Sequence, residues 1–184
     1  ATIIESHKQA AWFHYAGGRG YQPMVAVWAE LDLVLAGEFR GGNAPAKQAP
    51  LTCARLAFAA GPEGVKQRYF RGDSACHEND LLQWLNDSER EQQPGGRIGF
   101  AVSAVMSQAL SQCLKQDKEA DGKTFGTEDD GTFRQWAEVA FVPGEDYAGK
   151  DSRPLRYVGL RLRKPPGIVF ADGSDRHFHA VITN

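Results

Sequence analysis

Cysteine is scarce in this sequence of 184 residues, and its positions exclude two classes of site. Cys53, Cys76 and Cys113 are odd in number and lack the close spacing of zinc ligands or of a disulfide framework. A reducing cytoplasm is the compartment in which such a chain is expected.

Long apolar runs and an excess of one charge are also missing. No segment approaches the roughly 18 apolar residues of a membrane-crossing helix, and residues 1–5 lack the basic and apolar regions of a signal peptide. The net charge is -2, whereas free-standing nucleic-acid-binding proteins are usually basic. Any contact with DNA is therefore expected from local patches. The chain opens on a strand-like run without a starting Met, which predicts that the domain begins upstream of Ala1.

What remains is a globular composition with 42% hydrophobic and 24% charged residues. Strands are predicted at 24–29 and 33–36, apolar on both faces as in buried central strands, with a tight antiparallel connection. A helix at 50–60, a strand at 67–71 and a helix at 77–85 follow. A helix that crosses between strands implies a mixed sheet, so the predicted class is α/β.

The second half of the chain has a different pattern. Residues 86–96 are polar and turn-rich, which predicts a boundary that gives domains 1–92 and 93–184. Beyond it, alternating apolar and polar residues predict an antiparallel β-rich module. Its predicted elements are a strand at 97–102, a helix at 107–116, a charged loop at 118–130, and strands at 135–142, 155–163 and 177–183.

Asp73 is the candidate site residue with the most informative position. It follows the strand at 67–71 and precedes a helix. In open α/β sheets, ligands and metals gather at the carboxyl ends of strands. The alternative interpretations are an ordinary surface acid or the N-cap of the following helix.

Several segments, taken in order, resemble the catalytic domain of bacterial insertion-sequence transposases of the DDE type, in the group with a β-rich insertion. The likeness covers essentially the whole chain, and the ordered set is more specific than any single motif. The segments are Gly20-Tyr21-Gln22-Pro23, Glu38-Phe39-Arg40-Gly41-Gly42-Asn43, Tyr69-Phe70-Arg71-Gly72-Asp73-Ser74, Gln135-Trp136-Ala137-Glu138-Val139, and residues 1–8, 28–35, 44–46 and 156–158.

The resemblance implies an RNase H-like mixed sheet with flanking helices, carrying an antiparallel β insertion. It also implies DNA transposition by three carboxylates that hold two Mg²⁺ ions, because hard cations prefer oxygen ligands and paired ions stabilise both oxygens of a phosphodiester displacement. Asp73 matches the second acid. The first is expected just before Ala1 and the third beyond Asn184, and Gly41 stands where the family commonly has an acid.

The resemblance therefore implies the middle of a transposase core, cut at both ends. A single carboxylate binds Mg²⁺ weakly, so we expect no metal-dependent cleavage or strand transfer by this chain alone. In full-length form the family implies DNA at transposon ends as the partner and a homodimer as the working state. The alternative is a non-catalytic α/β module that binds DNA or protein.

Basic residues near the end of the strand at 155–163 are candidates for nucleic-acid contact. Arg161 and Arg163 share a strand face with Tyr157, and Lys164 extends this basic end. Arginines beside an aromatic residue can contact phosphates and stack on bases. The alternative is the solvated face of a half-buried sheet.

Three weaker candidates complete the sequence analysis. His177 and His179 share a strand side and, with Asp175, could bind a transition metal, although two histidines without a firm third ligand are more often merely exposed. Cys76 beside His77 suggests a hydrolase only weakly, because no third orienting group is evident. The glycines at 17–20 lack the strand–loop–helix context of a phosphate-binding loop.

Overall fold

The computed structural model describes residues 3–9, 11–14, 16–91, 96–116, 122–142 and 154–184. These ranges contain both helices and strands, so the predicted α/β class is confirmed. The chain forms two compact units, one of Ala1–Arg68 with Ala75–Arg97 and the other of Tyr69–Ser74 with Ile98–Asn184. The predicted boundary between residues 92 and 93 lies outside the described residues.

The strands of the first unit form two small antiparallel sheets. A three-stranded sheet of order β1-β3-β2 contains β1 (Ile4–Glu5), β2 (Trp12–Phe13) and β3 (Arg19–Tyr21). The second sheet is a hairpin of β4 (Met24–Trp28) and β5 (Leu33–Glu38), as the sequence predicted. The glycines at 17 and 18 belong to the turn between β2 and β3, where the His14 amide donates to the Gly18 carbonyl at 2.9 Å.

Helix α1 (Pro50–Ala60) packs against the β4–β5 hairpin. It begins at a proline, whose fixed φ and missing N–H suit the first helical turn, and it ends before Gly61. Cys53, Ala54 and Ala57 are its buried residues beyond the first position. The helix predicted at 50–60 is confirmed.

The prediction that both hairpin strands are buried on both faces is wrong. Val25 and Val27 of β4 are 51% and 52% exposed, and Val34 of β5 is 67% exposed. Met24, Ala26 and Trp28 alternate with the exposed valines and are half-buried. Continuous apolar sequence predicted two covered faces, but α1 packs on this small sheet and leaves the valine positions exposed.

Helices α2 (Asn79–Leu85) and α3 (Ser88–Glu91) complete the first unit. In α2, Leu81, Leu82 and Leu85 are at most 2% exposed, so the predicted apolar face of α2 forms part of the core. The Trp84 ring meets Phe58 of α1 edge-on, with ring centroids 5.6 Å apart.

The second unit contains a six-stranded sheet of order β6-β7-β11-β10-β9-β8. Four of its neighbouring pairs, from β7 through to β8, are antiparallel. The strands are β6 (Arg68–Gly72), β7 (Ile98–Ser103), β8 (Lys123–Thr127), β9 (Phe133–Val139), β10 (Arg156–Arg163) and β11 (Arg176–Thr183).

Buried and more exposed residues alternate along the strands of this sheet, so one of its faces is buried. Ile98, Phe100 and Val102 of β7 are at most 4% exposed, and Ile182 of β11 is fully buried. Helix α4 (Gln108–Gln116) adds two leucines, Leu110 and Leu114, to the core. The antiparallel pairing of the strands predicted at 97–102, 135–142, 155–163 and 177–183 and the helix at 107–116 are confirmed.

Two expectations about strands are wrong. Residues 118–130 were predicted to be a loop, yet β8 lies within that range and pairs with β9 through a bulge between Thr124 and Gly126. Its threonines and Phe125 favour a strand, and the charged flanks hid this preference. The strand at 67–71 was predicted as part of domain 1–92, but β6 lies next to β7, which falls in the predicted second domain.

Across the part of the chain that the structure describes, no helix has the length and apolar character needed to cross a bilayer.

Candidate functional site

Asp73 lies at the carboxyl end of β6, where the sequence predicted an acid. The strand ends at Gly72, and a 3₁₀ turn begins at Ser74. The residue is exposed, so its carboxylate is accessible from solvent. Its role as a metal ligand stays a prediction.

Asp73 is not the N-cap of α2, and it directly precedes the 3₁₀ turn Ser74–Cys76. Helix α2 begins at Asn79, two residues later than predicted, and its N-cap is Glu78. Both Glu78 carboxylate oxygens accept backbone hydrogen bonds at 2.9 Å, one from Asp80 and one from Leu81. A glutamate therefore provides the capping that was considered for the aspartate.

Clusters of metal ligands are absent from the described ranges: no group of three or more His, Cys, Asp or Glu side chains there could hold an ion. Asp73 is therefore not part of a group of that size within this part of the chain. One carboxylate replaces little of the hydration shell of Mg²⁺, so any binding at Asp73 alone is expected to be weak.

His177, the first of the two histidines of β11, makes contacts with protein side chains. His177 Nε2 lies 3.0 Å from Asp172 Oδ2, and its ring stacks on Phe170 with centroids 3.9 Å apart. Asp175, the third ligand considered, accepts from Arg176 Nε at 3.1 Å. These contacts favour the non-metal interpretation of the histidines.

Arg161 is buried rather than presented on an exposed face. It is 9% exposed, and its Nε donates to Gln135 Oε1 on β9 at 2.8 Å. Tyr157, on the same strand face, is 3% exposed. Neither the DNA-contact interpretation nor the solvated-face alternative anticipated this burial.

Gly122 lies against the Arg161 side chain, since a Cβ added there would be 2.8 Å from Arg161 Nη2. At Gly159, between Tyr157 and Arg161, an added Cβ would lie 2.5 Å from Leu114 Cδ2. Leu114 therefore sits directly over this glycine, and helix α4 covers this face of β10. Arg161, Gln135 and Gly159 line a recess of about 30 Å³, which is room for about one water molecule.

Lys164, the second basic candidate, is engaged by neighbouring side chains. Its side chain is 13% exposed, and its Nζ donates to Asp130 Oδ2 at 2.5 Å. The same ammonium group lies 4.7 Å from the centroid of the Phe170 ring. The hydrogen bond from Lys164 holds the pKa of Asp130 well below its usual range.

Arg163, the third basic candidate, is half-buried at the last position of β10. Its Cα partners across the sheet are Phe133 on β9 and Arg176 on β11.

Several segments that carry the transposase resemblance meet in the first unit. The Gln22 amide donates to the Arg40 carbonyl at 2.9 Å, and Arg40 Nε donates back to the Gln22 carbonyl at 3.0 Å. Nearby, the Gly42 amide donates to the Gly20 carbonyl at 2.9 Å. The segments at 20–23 and 38–43 are thus tied together through their backbones.

Arg40 is a buried cation in this arrangement, with 5% exposure. Besides Gln22 it reaches the Gln48 carbonyl with Nη1 at 2.9 Å, so backbone oxygens solvate its charge. Sequence reasoning quoted Arg40 within a motif but missed this role. The adjacent glycines were the available signal, because they permit close backbone approach.

Two further segments of the resemblance lie side by side in the second unit. Glu138 on β9 pairs in register with Val158 on β10, and Val139 with Tyr157. Arg156 forms an ion pair with Glu138 across these strands. The residues 135–139 and 156–158 therefore act together in pairing β9 with β10.

The hydrolase candidate rests on Cys76 and His77, which are half-buried and buried respectively. Burial, followed by the charge of Lys47, lowers the pKa of His77, so its imidazole is neutral near pH 7. A neutral imidazole can act as a base, and the hydrolase interpretation stays a prediction.

Comparison with known proteins adds no relative to these observations. No protein-family model matches the sequence, and no curated protein matches it significantly.

Proposed function

We propose that this chain is part of a DDE-type transposase that, in full-length form, cuts and joins DNA strands at transposon ends. Asp73 is the ligand that the chain contributes to a pair of Mg²⁺ ions. The observation that carries the proposal is the exposed carboxylate directly after β6.

The order of elements supports this proposal. The hairpin β4–β5, helix α1, strand β6 and helix α2 follow one another in the order that the resemblance implies for an RNase H-like core. The short strands β1, β2 and β3 stand where the resemblance implies a single opening strand. The RNase H-like arrangement of these elements belongs to the proposal, because β3, β4–β5 and β6 lie in three different sheets.

The chemistry of the proposal requires more carboxylates than Asp73. Two Mg²⁺ ions about 4 Å apart stabilise the attacking and leaving oxygens of an in-line phosphodiester displacement, and they need several fixed oxygen ligands. The proposal expects an Asp immediately before Ala1 and a Glu on a helix beyond Asn184. It also expects a cytoplasmic protein that works as a homodimer on paired DNA ends.

The proposal includes DNA contact by residues at the end of β10, but by fewer residues than the three that the sequence suggested. Arg163 and Lys164 are the candidates, and Lys164 would contribute after releasing Asp130. Arg161 is buried and would support the strand from within.

The test begins with the reading frame on both sides of this segment. The proposal expects the two missing acids at the stated places and Mg²⁺-dependent cleavage of transposon-end DNA by the full-length protein. Asp73→Asn should abolish that cleavage, whereas Asp80→Asn, a change at another exposed acid, should preserve it. A frame without the acids, or an Asp73→Asn protein as active as wild type, would refute the proposal.

A further inference from the structure

The β1-β3-β2 sheet of the first unit borders a cleft that the proposed function does not use. The cleft has a volume of about 290 Å³ and is lined by His7, Lys8, Gln9, Ala11, Trp12 and Arg19. Small-molecule sites in proteins span roughly 300–1,000 Å³, so this cleft is at the lower limit of that range. A cleft of this size suits a single nucleotide better than a larger ligand.

An exposed aromatic ring forms part of the cleft. Trp12 is 53% exposed, although tryptophan is usually well covered in folded proteins. The next residue, Phe13, is 64% exposed but does not line the cleft. It pairs across the sheet with Arg19, whose guanidinium carbon lies 5.3 Å from the Phe13 ring centroid. Exposed aromatic faces near basic side chains are the surfaces on which unpaired bases stack.

The charge at the cleft is positive. Lys8 and Arg19 both line it, and His7 adds a third nitrogen-bearing side chain. Residues 3–21 contain one acid, Glu5, which is not among the lining residues. This local balance contrasts with the net charge of -2 for the whole chain.

We infer that this cleft binds single-stranded nucleic acid, with one base stacked on the Trp12 indole and the adjoining phosphates held by Lys8 and Arg19. A duplex fits less well, because its bases are already stacked and present no free face to the indole. The inference does not depend on Asp73 and stands whether or not the chain is part of a transposase.

Binding of a short fluorescein-labelled oligothymidylate at low salt, followed by anisotropy, tests this inference. Trp12→Ala should weaken binding roughly 5- to 150-fold, the range expected for loss of one base stack. Phe125→Ala removes a comparably exposed ring (56%) from the second unit and should leave affinity unchanged. A matched duplex should bind more weakly than the single strand.

Two further variants separate stacking from a loss of folding. Trp12→Phe should retain most of the affinity, and Trp12→Leu, which keeps apolar bulk without an aromatic face, should lose it. The double variant Lys8→Gln/Arg19→Gln should reduce the salt slope of binding by about 1.4. The inference is overturned if wild type does not bind, if Trp12→Leu binds like Trp12→Phe, or if the duplex binds more tightly.

Discussion

Gly42 is held in a space that admits no side chain. A Cβ added there would lie 2.5 Å from the Trp12 carbonyl oxygen and 2.8 Å from the Gly20 carbonyl oxygen. Both atoms are backbone and cannot rotate away. The glycine in this segment therefore permits the close approach that joins residues 38–43 to the β1-β3-β2 sheet.

Gly42→Ala is expected to lower the free energy of unfolding by about 1–3 kcal/mol, because the surrounding backbone must shift. Urea denaturation measures this change. Gly37→Ala is the matched control, since its nearest contact would be the Met24 carbonyl oxygen at an ordinary 3.6 Å. Equal stability of the two variants would show that the backbone around Gly42 accommodates a side chain.

At the scale of secondary-structure elements, α2 depends on its cap. Glu78 accepts hydrogen bonds from two amides of the first turn, which otherwise lack helical partners. Glu78→Ala should cost about 1 kcal/mol of stability, as for other N-caps. Glu63→Ala, at an exposed acid elsewhere in the first unit, should change stability by less than about 0.5 kcal/mol. A Glu78→Ala variant as stable as the Glu63 control would remove the capping role.

The connection between β10 and β11 depends on the ionisation of Asp172. Hydrogen bonds from the Ser174 hydroxyl and amide, and then from His177, lower the pKa of Asp172 to about 2. A depressed pKa stabilises the fold above the unfolded-state pKa of about 4. That contribution is lost as the pH falls from about 4 through about 2.

Thermal unfolding across this acid range checks the expected sign. Asp172→Asn should lower the melting temperature near neutral pH and should show a shallower decline than wild type below about pH 4. Asp129→Asn, at an exposed acid in the same unit, serves as the control. Identical pH profiles for the two variants would show that the Asp172 contacts contribute nothing to stability.

Across the whole molecule, the elements were predictable where the signal is local. Pro50 and Gly61 mark the limits of α1, and alternation marks β7, β9, β10 and β11. The position of Asp73 after a strand was predictable for the same reason. Each of these features depends on residues close together in the sequence.

Pairing and burial were less predictable, because they depend on distant partners. Nothing in residues 67–72 indicates that β6 lies beside β7, and the sequence of β10 does not reveal that Arg161 is buried. The cleft beside Trp12 was missed because its lining comes from β2, β3 and the segment after β1. Basic and aromatic residues are interspersed over residues 7–19, and this composition was the signal that could have indicated the cleft.

The central claim is that the Asp73 carboxylate is a ligand for a divalent cation. Paramagnetic broadening of backbone amide signals by Mn²⁺ tests it directly, because weak binding by one carboxylate is still detected. We expect the amide signals of Gly72, Asp73 and Ser74 to broaden first. Asp73→Asn should remove this effect, whereas Asp80→Asn should not. Broadening that spares these amides, or that persists unchanged in Asp73→Asn, would contradict the claim.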